Sequence, residues 1–235
     1  MKKILFNLLV ICALTCYSCA FDNLDGPDAR FYGRIIDKTT GENFVMPSNG
    51  LKIRMWEVSY SDNPTPRDIN VMDDGTFNNN KLFAGKYKAL AYQGAFWPMP
   101  DTATIELKGG KATEHDFVLT PYLKVSIVDY NLSGTTLTIR GRLEAPIEQG
   151  LPRVLDIRPL VAITRFVGSA NITAYSEPFR IEINQNFSDG VGDRIYTMTV
   201  TGLLQGRTFY VRLGARVDDS YRAYNCSEII QIDVP

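Results

Sequence analysis

The chain has 235 residues, and 25 Lys and Arg balance 26 Asp and Glu for a formal net charge of −1. Basic residues are scattered, so neither a nucleic-acid footprint nor a polybasic membrane patch is expected. One histidine and four cysteines leave little material for metal, Ser-His-Asp or Cys-His chemistry.

Met1, Lys2 and Lys3 precede an apolar run from Ile4 to Leu14 that only Asn7 interrupts. This is the layout of a secretory signal, and it is too short for a stable membrane span. The run ends in "CYSCAFDNLDGPD", residues 16 to 28. Cys19 follows the small residue Ser18 and opens onto an acidic stretch with Asp22, Asn23, Asp25 and Asp28; Cys16 follows the β-branched Thr15. Residues 1–18 are therefore expected to be a lipoprotein signal peptide, Cys19 the lipidated residue, and residues 19–29 a tether. The alternative is an ordinary cleaved secretory signal, because Cys16 stands where a lipoprotein signal usually has Leu. Two thiolates with no nearby His or Cys cannot supply four zinc ligands. With the signal removed, only Cys19 and Cys226 remain, so a lipidated Cys19 permits no intrachain disulfide. Cys226, in "AYNCSEIIQIDV", is expected to act as a small buried hydrophobe in the last strand.

Beyond the tether the hydrophobic period is two. In "LKIRMWEV", Leu51, Ile53 and Met55 share one face and Lys52, Arg54 and Trp56 the other. "ATIELK" repeats the pattern with Ala103, Ile105 and Leu107, and "LKVSIV" with Leu123, Val125 and Ile127. Gly, Asn, Asp and Pro clusters separate these strands, and the Asp-Gly pair in "DDGTFNNN" predicts a hairpin turn there. No segment carries a helical stripe. The expected fold class is all-β, two tandem β-sandwiches over residues 30–120 and 121–235, meeting near Thr120-Pro121.

The order Gly33, Ile35, Asp37, Thr40, Gly41, then Gly75, Phe77, Leu82, Gly85, Tyr87, then Phe117 and Leu119 resembles the carboxypeptidase regulatory-like, or prealbumin-like, sandwich. In the second half, "TVTGLLQGRTFYVRLGARV" resembles the E-to-F corner of a fibronectin type III domain through Gly202, Leu203, Gly206 and Val211. Phe209 stands where the corner tyrosine would be, and no tryptophan occurs near Gly141, so an Ig-like sandwich is the broader expectation. Taken whole, the chain resembles a group of Bacteroidetes outer-membrane lipoproteins associated with SusC/SusD-like glycan-utilisation systems. The resemblance implies a non-catalytic lipoprotein held in the outer membrane by its N-terminal lipid and exposed at the cell surface. It also implies a polysaccharide ligand, a SusC/SusD-like transporter complex as partner, and no cofactor. The alternative is a structural fimbrial subunit or anchor, with "SEIIQIDVP" as a candidate donor strand.

His115 is read as a surface residue beside a closing strand, and no G-x-S-x-G or H-E-x-x-H occurs, so the chain is not expected to be an enzyme. No metal site is expected either, since "DDGTFNNN" lacks the EF-hand order. The aromatic residues carry the remaining signal. "AYQGAFWPMPDT" sets Tyr92, Phe96 and Trp97 beside Pro98 and Pro100 in a stiffened loop, and Trp56 alternates onto the face opposite Met55. These four rings are the candidate carbohydrate platform; the competing expectation is that they seal the joint between domains. Thr102, in Asp101-Thr102-Ala103, resembles the acceptor of Bacteroidetes protein O-glycosylation.

Overall fold

The computed structural model describes residues 26–47, 50–168 and 175–235. The signal peptide, Cys19 and most of the tether lie outside the described residues. Among those described, sixteen strands and two short 3-10 turns make up the regular structure. The protein is all-β, four sheets enclosing two principal cores in tandem sandwiches.

Eight strands build the first half: β1 (Ala29–Asp37), β2 (Lys52–Glu57), β3 (Arg67–Asn70), β4 (Thr76–Leu82), β5 (Gly85–Tyr92), β6 (Ala103–Leu107), β7 (Ala112–Glu114) and β8 (Phe117–Leu119). β1 pairs antiparallel with β4, and parallel with β7 and β8. The other sheet is antiparallel, in the order β3-β2-β5-β6. The period of two does what it predicts: Ile53 and Met55 of β2 are buried while Lys52, Arg54 and Trp56 face outward and are only half-buried. The buried set includes Phe31, Phe77 and Phe117, whose rings stack in sequence at 5.0 and 6.0 Å. Each such ring withdrawn from water stabilises the fold by roughly 1.5–3 kcal/mol.

Two local features position these sheets. β7 and β8 are one edge interrupted at His115 and Asp116, where the His115 amide donates to the Tyr32 carbonyl and Asp116 takes both the amide and the guanidinium of Arg34. His115 itself is half-buried, its ring on Phe117 at 4.8 Å, and burial lowers its pKa. The "DDGT" stretch is not the hairpin turn its Asp-Gly pair suggests. It is a corner carrying the chain from β3 in one sheet to β4 in the other. Gly75 supplies a φ of 79°, and Asp74 accepts from the Thr76 amide and hydroxyl. The Asp-Gly chemistry is the same in both settings; what differs is that β3 finds β2 as its partner.

The second half has β9 (Lys124–Ser133), β10 (Thr136–Glu144), β11 (Val154–Ala162), β12 (Ile181–Gln185), β13 (Tyr196–Val200), β14 (Thr208–Val217), β15 (Tyr224–Cys226) and β16 (Ile230–Asp233). One sheet is ordered β13-β10-β9; the other is β12-β11-β14-β15, with β16 also on β14. Gly141 of β10 has no room for a side chain, because a Cβ there would meet a Leu213 methyl at 2.3 Å. Leu213 thus packs directly over Gly141 in the second core. Cys226 is buried, as expected, but in β15 rather than the last strand, and burial pushes its thiol up to about 11. The final strand β16 pairs with β14 of its own sheet.

The halves are joined by more than the Thr120–Leu123 segment. Asn225, 3% exposed, donates to the Ala95 carbonyl at 2.7 Å and accepts the Leu123 amide at 3.0 Å. Arg212, 1% exposed, donates to the Met46 carbonyl at 3.0 Å, and to those of Val167 and Ser227. The Trp97 amide donates to Thr120 O, and its ring meets Tyr122 edge-on at 5.3 Å.

Gly33, in the β1 motif, lies under the β7–β8 interruption, where a Cβ would stand 2.0 Å from the His115 carbonyl oxygen. Gly33→Ala is expected to cost on the order of 3 kcal/mol, the upper end of ordinary overpacking, read as a lower denaturant midpoint. An unchanged midpoint would contradict this packing.

Candidate functional site

The structure separates the four rings singled out in the sequence. Phe96 is 5% exposed and belongs to the first core, edge-on to Phe44 at 6.4 Å, so it presents no face to a ligand. Trp97 packs against the second core and Tyr122, and its indole N–H is buried without a partner. The loop that holds both folds back, since the Ala91 amide donates to the Met99 sulfur. Phe96 is thus a core residue, and Trp97 a half-buried ring packed at the joint. Tyr92 is not in that loop but ends β5. Strand alternation puts Tyr92 and Trp56 on the same outer face of the β3-β2-β5-β6 sheet, with Arg54 and Leu90 paired between them. Thr102 is exposed just before β6.

On that outer face Arg54 is held by Asp68 through two hydrogen bonds of 2.8 and 2.9 Å, and its guanidinium lies 3.6 Å over the Tyr92 ring. Tyr92 in turn meets Tyr221 of the second half edge-on at 5.4 Å. The contact between the two phenols lowers the Tyr92 pKa and pushes Tyr221 up to about 12, so Tyr221 is the harder of the two to ionise. Tyr221 stands in the β14–β15 turn, where the Arg222 amide donates to Asp219 at 2.6 Å and Arg222 takes a φ of 47°.

Beyond Tyr221 a cleft of about 520 Å³ opens between the halves, within the usual size range of small-ligand sites. Gln93, with a φ of 57°, faces it from the first half. Arg158, Glu177, Arg180, Arg216, Tyr221, Arg222 and Tyr224 face it from the second.

Register explains how these residues meet. Asp156 of β11 lies opposite Arg216 of β14, which lies opposite Tyr224 of β15, so the three form one row across the outer face of the sheet. Arg158, two residues on from Asp156, shares that face and lies opposite Gly214. Gly214 leaves a gap over which Tyr224 and Leu160 close, each 3.0 Å from where a Cβ would be.

A single buried carboxylate organises the row. Asp156 is 3% exposed and accepts from Arg216 at 2.8 and 2.7 Å, from Arg158 at 3.4 Å and from the Tyr224 hydroxyl at 3.4 Å. Burial and the nearby Asp156 charge push Tyr224 up to about 12, so the phenol remains a donor. Arg158 is 2% exposed, also bonds Glu177, and keeps an unpartnered Nε. None of these cleft residues was singled out in the sequence. The available signal was the recurrence of charge, Asp156 and Arg158 in one strand and Arg212 and Arg216 in another, at the period that otherwise places solvent-facing residues. Among the described residues no group of three or more His, Cys, Asp or Glu could hold a metal ion. No helix among them is long and apolar enough to cross a membrane.

Residues 29–118 match the family described as "Protein of unknown function (DUF3823) N-terminal domain". Solved structures extend the likeness across both halves. A DUF3823 family protein from Bacteroides uniformis is 24% identical, with a TM-score of 0.78 over 89% of this chain and 100% of its own. A second Bacteroides uniformis structure, of a "putative carbohydrate binding protein", is 23% identical, with a TM-score of 0.70 over 88% of this chain and 100% of its own. A DUF3823 family protein from Parabacteroides merdae gives 18% and 0.69, over 89% and 100% of the two chains. No curated protein matches the chain. At these identities the likeness establishes the fold, two β-sandwiches in tandem.

Asp156→Asn is expected to destabilise the protein by about 3–5 kcal/mol, because it leaves Arg158 and Arg216 without a full countercharge at the sheet surface. Thermal unfolding checks this, and a loss below about 1 kcal/mol would show that Glu177 and solvent already neutralise the pair.

Proposed function

We propose that this chain is a non-catalytic cell-surface lipoprotein that binds glycan, as an accessory component of a SusC/SusD-like polysaccharide uptake system. The observation that supports it most is the Tyr92–Tyr221 ring pair at the edge of a cleft rich in hydrogen-bond donors, with Trp56 farther along the same outer sheet face. Sugar rings have apolar C–H faces and hydroxyl rims, and such a surface offers a partner to each. A protein of the same fold being described as a "putative carbohydrate binding protein" favours the same reading. The platform proposed here keeps Tyr92 and Trp56 from the sequence, adds Tyr221, and assigns Phe96 and Trp97 to packing.

In this reading the acidic tether, residues 19–29, holds the protein to the outer membrane through lipid on Cys19, and the exposed Thr102 is open to O-glycosylation. The proposed units are residues 30–120, prealbumin-like, and residues 121–235, fibronectin type III-like. The division of the latter into β13-β10-β9 and a larger sheet through β14 favours that label. Each stacked ring contributes about 0.5–1.5 kcal/mol, so a single copy would bind weakly, and capture would rely on many anchored copies engaging one polymer.

Affinity gels containing a panel of polysaccharides test the binding. Tyr92→Ala and Tyr221→Ala should abolish retardation by the polymer that slows the native protein, with little change in melting temperature. Trp97→Ala should instead lower stability by on the order of 3 kcal/mol as the joint loses its ring. If no polysaccharide retards the native protein, the reading fails. The anchor is tested separately: a palmitate analogue should label the native protein and not Cys19→Ala, and protease added to intact cells should digest it. Label that survives in Cys19→Ala and disappears in Cys16→Ala would move the lipid to Cys16, and full protection would place the protein on the periplasmic leaflet.

A further inference from the structure

We propose that the sugar held in the cleft is acidic, its carboxylate or sulfate taken by the guanidinium groups of Arg158, Arg180, Arg216 and Arg222; this rests on reading the cleft as a glycan site. Four arginines line the cleft against one carboxylate, Glu177, in a chain whose basic and acidic residues otherwise balance. The other carboxylates that hold these arginines do not line it. Asp156 is buried beneath Arg158 and Arg216, Glu182 takes Arg180 at 2.6 Å, and Asp218 takes Arg222 at 2.9 Å while also binding Arg153. The arginines are thus aimed from outside the cleft, and a guanidinium with five donors is not exhausted by one or two such bonds.

The unpartnered Nε of Arg158 is the most direct sign of an unmet need. A buried donor without a partner costs roughly 1–3 kcal/mol, and Arg158 is 2% exposed while lining the cavity. A bound oxyanion adds acceptor oxygens where donors outnumber acceptors. Tyr224, kept a phenol, presents its ring to both Arg158 and Arg216 at 5.2 Å, a cation–π contact that helps hold the two guanidinium groups beside the cleft. Gln93 and Arg222, one from each half, hold left-handed backbone conformations at the lining, and such strain persists only where surrounding structure enforces it. Tyr221, at the cleft, and Trp56, farther along the outer sheet face, then suit the neighbouring rings of a polymer, which distinguishes an acidic glycan from a small free anion.

The test uses the full mature chain in affinity gels with polygalacturonate, which carries carboxylates, dextran sulfate, which carries sulfate, and uncharged dextran. Binding to polygalacturonate or dextran sulfate is expected, and the polymer retained tells which oxyanion the cleft accepts. The double variant Arg180→Gln, Arg222→Gln, whose side chains are both solvent-accessible, should weaken that binding at least tenfold without a change in melting temperature. Arg140→Gln, at a surface pair with Asp129 on the β9–β10 sheet, should leave it unchanged. Equal losses in both variants would overturn the proposal by showing nonspecific charge attraction. Retention of dextran with no response to the arginine changes would overturn the acidic ligand and leave the glycan cleft standing. Absence of any retention would overturn both.

Discussion

The geometry of the molecule rests on one buried amide. The Asn225 carbonyl accepts the Leu123 amide and its NH2 donates to the Ala95 carbonyl, so one side chain of β15 holds the entry to the second half and the β5–β6 loop of the first. In a low-dielectric setting each of these bonds is strengthened, and losing either partner would strand a buried polar group. Arg212 repeats the device from β14 by grasping the Met46 carbonyl. The two halves therefore meet through satisfied backbone groups as well as apolar contact, which favours one orientation over a sliding interface.

That fixed orientation makes the cleft a property of the fold. Its walls come from Gln93 on one side and the β11, β14 and β15 face on the other, with Tyr221 at its rim beside Tyr92. A cleft formed before a ligand arrives loses less freedom on binding, and weakly stacking rings benefit most from this. Trp97 serves the seam in the same way: its ring rests edge-on against Tyr122 beside the backbone bond from Trp97 to Thr120, and only part of it remains open to solvent.

The buried arginines follow a different economy from the apolar cores. Arg158 and the half-buried Arg216 share Asp156, and among the described residues Arg212 donates to the carbonyl oxygens of Met46, Val167 and Ser227. Such charges add little net stability compared with apolar packing. What they provide is direction: donors held at defined angles by neighbours on adjacent strands, with Gly214 leaving room for Tyr224 and Leu160 to pack over the gap.

Local pattern was enough to read the strands and fold class, because inward Ile53 and Met55 must alternate with outward Arg54 and Trp56 on any half-buried strand. It was also enough to mark Gly33, though not to reveal that the His115 carbonyl excludes a side chain there. The tertiary structure decided which outward face would be covered. Arg158 and Arg212 occupy positions whose period reads as solvent-facing, yet segments distant in sequence close over them, Met46 lying 166 residues from Arg212. It likewise turned the Asp-Gly corner between sheets and drew Phe96 inward through its bridge to Pro121. Alternation is a property of neighbours along the chain and is legible there, whereas burial of a second face and convergence of charges depend on strand order and domain docking, which no local spacing encodes.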